Sequence, residues 1–451
     1  MDNNQDNIIQ GNPTKTFFIE MITRDISIKD AILDLLDNSI DGASRINPIS
    51  YQGLYINISI NKDAFIVNDN CGGFSLETAK KYAFRFGRPD DAPEARGSVG
   101  RFGIGMKRAL FKIGKKFEVE SKTSSDHFEV NVDVNEWRNK TKTITQNEVE
   151  KEIEDWDFRY VNITEENCNL SENGTYVKVT NLHSEVADLF DDEEFLNTLK
   201  DDIERLLNFS LEKKIKITLN GQELNSKDIK VFNEQSEPYF YEGEKDGVKF
   251  RIIAGLGDVG NPSVSGWYIY CNDRLVLEAD KTEATGWGTS SIPKWHIDYV
   301  MFRGIVFLDA EETINLPLTT TKKGIDTTSD IYKSVLVYMR EATSHIIPFL
   351  KQITKLGDEA NNYRKLLAEQ ETKISVVDMK SISITPEKRK FVAPEIDTDL
   401  IAQRKDFVRI SYDVKKDMAN KTKYHSGSKS YKELGETTFY YYIKMEDLEN
   451  E

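Results

Sequence analysis

The 451-residue chain is 39% hydrophobic and 30% charged, and carries a net charge of −16. That length suits two or three domains with real cores. No apolar run approaches the ~20 residues of a membrane span, and the acid excess argues against a generally basic nucleic-acid binder while leaving room for a local basic patch. Cys71, Cys168 and Cys271 stand apart, without a C-x-x-C pair or an even disulfide framework, and His127, His183, His296, His345 and His425 are scattered, so neither disulfides nor a zinc site is expected. The polar start, MDNNQDNIIQGNPTK, lacks the basic-then-apolar plan of a signal peptide. The expected home is the cytoplasm, with no membrane contact.

In chain order, Asn12 to Met21 is a short apolar segment whose Phe17, Phe18 and Ile19 read as completing a core. Ile28 to Ala43, IKDAILDLLDNSIDGA, is a helix with two faces. Ile32, Leu35, Leu36, Ile40 and Ala43 form one; Asp30, Asp34, Asp37, Asn38 and Asp41 form the other. Like charges four apart repel, so the acidic stripe does not stabilise a bare helix. It reads either as a solvated face or as oxygen ligands for a hard cation such as Mg²⁺. Tyr55–Ile60 and Ala64–Val67 read as paired strands about an Asn61-Lys62-Asp63 turn. The second strand runs into Asp69, Asn70, Cys71 and the Gly72-Gly73 pair, where adjacent glycines permit a tight turn or close approach of a ligand. Leu76 to Phe86 reads as a helix and 90–100 as a loop.

Gly97, Gly100, Gly103 and Gly105 then lead into a helix start at Met106-Lys107-Arg108. Glycine-rich backbone entering a helix N-terminus suits phosphate, through exposed N–H groups and the helix dipole. Lys107 or Arg108 adds a point charge. The G-x-x-G-x-G spacing does not fit the dinucleotide fingerprint. Phe117–Ser121, Phe128–Val134 and Thr175–Leu182 read as strands, 133–168 as an elaboration between them, and Glu185–Phe209 as one long helix.

Taken together and in order, these stretches resemble the GHKL ATPase superfamily (gyrase B subunit, the large heat-shock chaperone ATPase, histidine kinases, MutL). The E-x-x-x-N helix corresponds to Asp34-Leu35-Leu36-Asp37-Asn38, D-x-G-x-G to Asp69-Asn70-Cys71-Gly72-Gly73, the lid to Gly100-Arg101-Phe102-Gly103-Ile104-Gly105, and the G-T pair to Gly174-Thr175. Two positions depart: Asp34 replaces the family's catalytic Glu, and Cys71 its first glycine. The first puts the hydrolysis rate in question, since a ~1 Å displacement of a catalytic group costs on the order of 10²-fold. The second leaves Asp69 and Gly73 in place.

The resemblance implies an α+β chain: a GHKL (Bergerat) α/β sandwich over 1–211, a transducer-like α/β domain over 212–350, and a C-terminal extension over 351–451. Within 212–350, Lys214–Leu219 with Asn220-Gly221 reads as a strand and hairpin turn, Val248–Gly255, Gly266–Glu278 and Gly304–Leu308 as further strands, and Ile331–Leu350 as a helix. The run YCNDRLV, Tyr270 to Val276, is similar to the transducer strand of the MORC and MutL branches, a bacterial-type pattern associated with defence or DNA-handling systems. The histidine-kinase branch is disfavoured, because no phosphoacceptor-histidine helix precedes the first motif.

The resemblance further implies ATP and Mg²⁺ as cofactors. Asp69, Gly73 and Thr175 would meet the adenine. Asn38 would ligate Mg²⁺, with Asp37 and Asp41 beside it. Gly100, Gly103, Gly105 and Lys107 would hold the phosphates. Asp34 would act on the attacking water, and Lys322, favoured over Lys323 in the loop LPLTTTKKGID, would reach the γ-phosphate. ATP binding would close a homodimer, a step in which Phe17–Ile19 offers a crossing segment, and the clamp would act on nucleic acid or a protein client. The alternative is a nucleotide-gated binding or signalling module with little hydrolysis. Gln403 to Lys432 is basic, with Tyr412, Tyr424 and Tyr431 interleaved. It reads first as a solvated arm or partner-binding region and second as a nucleic-acid contact.

Overall fold

The computed structural model describes residues 11, 13–87, 104–146, 149–164, 168–258, 262–319, 324–382, 388–395, 410 and 412–447. Gly97, Gly100, Gly103, Lys322 and Lys323 lie outside them. The chain divides into two compact units, Met1–Pro394 and Glu395–Glu451.

The first unit begins with α1 (Lys15–Arg24) and α2 (Ile28–Ile46). Ser27 caps α2, its Oγ accepting from the Asp30 amide at 3.2 Å and donating to the Asp30 carboxylate at 2.7 Å. β1 (Tyr55–Asn61) and β2 (Ala64–Asp69) form the expected hairpin. Helix α3 (Leu76–Thr78) widens into a π turn at Ala79–Ala83, shorter than the helix predicted to Phe86. Then come α4 (Gly105–Ile113), β3 (Gly114–Lys122), β4 (His127–Asp133), α5 (Val134–Asn139), the hairpin β5 (Thr141–Gln146) and β6 (Val149–Glu154), β7 (Val161–Asn162) and β8 (Gly174–Leu182). The predicted long helix over 185–209 is three pieces: α6 (Ser184–Phe190), α7 (Glu193–Leu206) and α8 (Asn208–Glu212). Asp192 makes the break, because its carboxylate caps a fresh N-terminus by accepting from the Glu194 amide at 2.9 Å. β9 (Lys216–Leu219) and β10 (Gln222–Glu223) follow.

Apart from the β5–β6 hairpin, these strands form one mixed sheet in the order β10-β9-β1-β2-β8-β3-β4-β7. β9, read from sequence as the start of a second domain, pairs parallel with β1 and so extends the first sheet. Strand alternation turns Ile56, Ile58, Ile60, Phe65 and Val67 to the face covered by α2, α4, α6 and α7, where they share one core with Ile32, Leu36, Leu110, Phe111, Phe190 and Leu199. Phe18 packs edge-on against Phe86 and Trp156 in the same core, while Phe17 stays exposed. The segment Phe17–Ile19 thus belongs to a helix on its own domain.

The second sheet contains β12 (Tyr239–Lys245), β13 (Val248–Leu256), β14 (Gly266–Cys271), β15 (Arg274–Asp280) and β16 (Phe302–Ala310), preceded by the short β11 (Val231–Phe232). Its order is β15-β14-β16-β13-β12, with the short β18 (Lys388–Arg389) beyond β12. β14 and β16 pair in parallel and are buried along almost their whole length, which explains their near-continuous apolar sequence. Helix α9 (Asp330–Lys355) covers one face through Tyr332, Val335 and Met339.

From residue 351 to Pro394 the chain stays in this unit. α10 (Ala360–Gln370) follows; β17 (Lys373–Ile374) pairs with β11; α11 (Val376–Ser381) packs Val376 and Met379 into the sheet's core; β18 (Lys388–Arg389) adds to β12. Among the described residues, the second unit holds two helices, Lys416–Ser426 and Tyr431–Met445, with Lys423 over the ring of Tyr431 at 5.2 Å. No described helix is long and apolar enough to cross a membrane.

Gly304 in β16 lies under Trp267, where a Cβ would collide with the indole. Gly304→Ala is expected to cost at least about 1–3 kcal/mol through overpacking, read as a lowered urea midpoint. An unchanged midpoint would contradict the placement of that ring.

Candidate functional site

The site starts from a strand rule. Phe65, Val67 and Asp69 share the inward face of β2, so the strand's last inward position is a carboxylate rather than a hydrophobe. Asp69 is buried and held by three donors. Its Oδ2 accepts from Ser39 Oγ at 2.7 Å, and its Oδ1 from the Cys71 amide at 2.9 Å and the Thr175 amide at 3.2 Å. Burial raises its carboxyl above the ordinary range, opposed by those three donors. Thr175 is there because β2 and β8 pair with Asp69 opposite Thr175. Ser39 is there because it projects from α2 toward the sheet.

Three glycines allow the close approach. A Cβ at Gly174 would collide with the Asp69 carbonyl, and one at Gly42 with the Cys71 carbonyl. At Gly73, φ is +62°, and a Cβ would stand 2.5 Å from the Lys122 carbonyl oxygen. Cys71, which departs from the glycine of the motif, turns its side chain into the core.

The acidic stripe of α2 is not a solvated face. Asp34 and Asp37 are buried. Arg108, from the second turn of α4, donates to Asp34 Oδ2 at 2.5 Å. Gly105, the first residue of α4, sits against the same carboxylate: a Cβ there would lie 3.5 Å from Asp34 Oδ2. The glycine-rich segment therefore ends beside Asp34. Asn38, one turn on, is exposed. Asp37 pairs with Arg274 at the start of β15. Asp41 faces a cleft of about 580 Å³ between α2 and the second sheet, lined also by Tyr51, Asp273, Arg274 and Glu312. Asp30 serves the N-cap.

Lys107, expected at the phosphates, lies apart from Asp34 and Arg108 in this structure. On α4 it points away from Arg108 into the core, where its Nζ donates to the Ala83 carbonyl at 2.7 Å. Only 1% of it is exposed, and burial lowers its ammonium to about 7. Arg108 is the cation that α4 offers. The sequence named it only beside Lys107, and helical phase separates the two. Ser39 and Arg274 were not picked from sequence. Their signals are the inward position of Ser39 on α2 and the two-residue Asn272-Asp273 turn that delivers Arg274.

The residues fit a nucleotide in kind. A buried carboxylate with small neighbours suits an amine-bearing base, and a glycine-rich helix start beside an arginine suits phosphate. Among the described residues no cluster of three His, Cys, Asp or Glu is set to hold a metal. Mg²⁺ needs none, since it keeps waters and takes phosphate oxygens with one or two protein ligands, and the exposed Asn38 amide is the available donor.

Residues 26–175 match the family model described as histidine kinase-, DNA gyrase B-, and HSP90-like ATPase. That stretch opens one residue before the cap of α2 and closes on Thr175. It therefore contains Asp34, Asn38, Asp69, Gly73, Gly105 and Arg108. The large mixed sheet with helices on one face agrees with an ATPase domain of that superfamily. No curated protein matches the chain.

Lys107 gives a pH signature. In the unfolded chain its ammonium titrates near 10.4, in the folded chain near 7. Between those values the unfolded chain carries the extra proton, so this group makes stability rise with pH across that window. Lys107→Met is expected to remove that contribution, up to about 4 kcal/mol, seen as a smaller gain in urea midpoint between pH 7 and 9.5 than in the wild type.

Proposed function

We propose that this chain binds ATP with Mg²⁺ and hydrolyses it, using nucleotide-gated closure of a homodimer as a conformational clamp or switch on nucleic acid or a protein client. The observation that carries the reading is Asp69, a buried carboxylate fixed by Ser39 and two backbone amides at the glycine-lined end of β2, inside the stretch matched to the ATPase family.

On this reading Asp69 accepts from the adenine amino group, and Gly73 and Thr175 flank the base. Asn38 holds Mg²⁺, which when bound supplies positive charge against the phosphates. Gly100, Gly103 and Gly105 offer backbone N–H groups to the phosphate chain, and Arg108 replaces Lys107 as its cation. Asp34 orients or deprotonates the attacking water, and Lys322 (or its neighbour Lys323) meets charge developing on the γ-phosphate. Asp34 is now held by Arg108. Transfer of Arg108 from Asp34 to a phosphate frees the carboxylate for water only when nucleotide is present.

The same ion pair supports a second reading. A carboxylate one methylene shorter than Glu, already engaged by an arginine, suits a nucleotide-gated module with little intrinsic turnover. Steady-state hydrolysis and ATP affinity of wild type and Asp34→Ala decide between them. The clamp reading expects Asp34→Ala to lower kcat by about 10²–10⁴-fold with affinity largely retained. Binding without turnover in the wild type selects the module, and full turnover in Asp34→Ala removes Asp34 from the mechanism.

A further inference from the structure

The tip of the β14–β15 hairpin, Asn272-Asp273-Arg274, touches more of the molecule than a turn requires. Asn272 and Asp273 both have positive φ, 45° and 67°, as a two-residue hairpin turn demands. The turn is anchored to β16: the Asn272 amide donates to the Leu308 carbonyl at 3.0 Å, and its side-chain oxygen accepts from the Ala310 amide at 3.0 Å. Asp273 accepts from Lys213, just past α8, at 2.7 Å and from Lys380 of α11 at 2.5 Å. Lys380 also reaches Asp309 at 2.6 Å, and Lys213 the Pro48 carbonyl at 2.7 Å. Burial pushes Asp273 up, but Lys380 and Lys213 outweigh it and hold the carboxyl below its ordinary range.

Arg274 is the tip's contact with α2. It pairs with Asp37, one residue before Asn38 and one turn after Asp34, and both partners are nearly buried. Asp34 and Asp30 also act electrostatically on Arg274. A buried ion pair gives a fold no clear advantage over an apolar contact of equal size. What it fixes is orientation: the guanidinium–carboxylate pair ties α2 to the hairpin, and α2 carries the groups proposed to meet water and metal.

We propose that Arg274 is a positioning residue that couples the nucleotide helix α2 to the second sheet and, through Asp273 and Lys380, to helix α11. This rests on the ATP-binding reading. A change in the tilt of α2 moves Asp37, and the hairpin tip moves with it or loses the pair. The tip then passes the displacement to Lys380 and Asp309.

The test is hydrogen exchange on the full chain, with and without a non-hydrolysable ATP analogue plus Mg²⁺, alongside measured affinity for that analogue. In the wild type the analogue is expected to slow exchange in 28–46 and, about fivefold or more, in 266–280. Arg274→Gln should bind the analogue within about threefold of wild type and keep the response in 28–46, but lose that in 266–280. Arg274→Lys, which keeps the charge without the guanidinium, should retain part of it and serves where the Gln variant folds poorly. Retention of the full 266–280 response in both variants overturns the coupling through Arg274. Wild-type binding with no response in 266–280 also overturns it, while leaving ATP binding intact. Absence of wild-type binding overturns the ATP reading itself, and the coupling with it.

Discussion

The arrangement depends on one buried carboxylate. Asp69 occupies a core-facing strand position, where a charge is tolerated only if it is hydrogen-bonded on all sides. Its three donors come from α2, from the turn after β2, and from β8. Satisfying it therefore fixes the distance from helix to sheet and the register of two strands. Gly42 and Gly174 are the steric counterpart, because a methyl group at either would strike the backbone around Asp69. The end of the sheet is built around this group, and the helix that bears Asp34 and Asn38 is held in place by it.

A second constraint is charge neutralisation along α2. Asp34 and Asp37 lie three apart and are both buried, which would set them against each other if neither had a partner. The fold gives each an arginine from a different direction: Arg108 from the helix after the glycine-rich segment, Arg274 from the second sheet. The acidic helix is thus a junction between the phosphate end of the proposed site and the rest of the unit. Lys107 and Arg108 show how helical phase assigns chemistry. Adjacent in sequence, one is sealed in the core against Ala83 and the other meets the carboxylate.

What could be read from sequence followed locality. The period of α2, the β1–β2 hairpin, the Asp69 turn and the strand after Gly174 depend on neighbours within a few residues, and the structure shows each of them. Readings failed where distant segments decide. β9 joins the first sheet by parallel pairing with β1, and β17 and β18 return the chain beyond residue 370 to strands near residues 231 and 240; no local pattern announces either. The break at Asp192 rests on a side-chain cap that the continuous helical periodicity of 185–209 hides. Ser39 and Arg274 are ordinary residues in sequence, and only the packing of α2 against β2 and the hairpin tip gives them partners. Gly100, Gly103 and Lys322 fall outside the described residues.

The claim most exposed to test is that Asp69 reads an adenine base. Calorimetric titration of the wild type with Mg²⁺·ATP and Mg²⁺·GTP, repeated on Asp69→Asn, addresses it directly. The account predicts that the wild type binds ATP at least about tenfold more tightly than GTP, and that Asp69→Asn, folded by circular dichroism, loses that preference along with most of its ATP affinity, since a buried polar group left mispaired costs about 1–3 kcal/mol. Equal binding of the two nucleotides, or an Asp69→Asn variant that still prefers ATP, would contradict it.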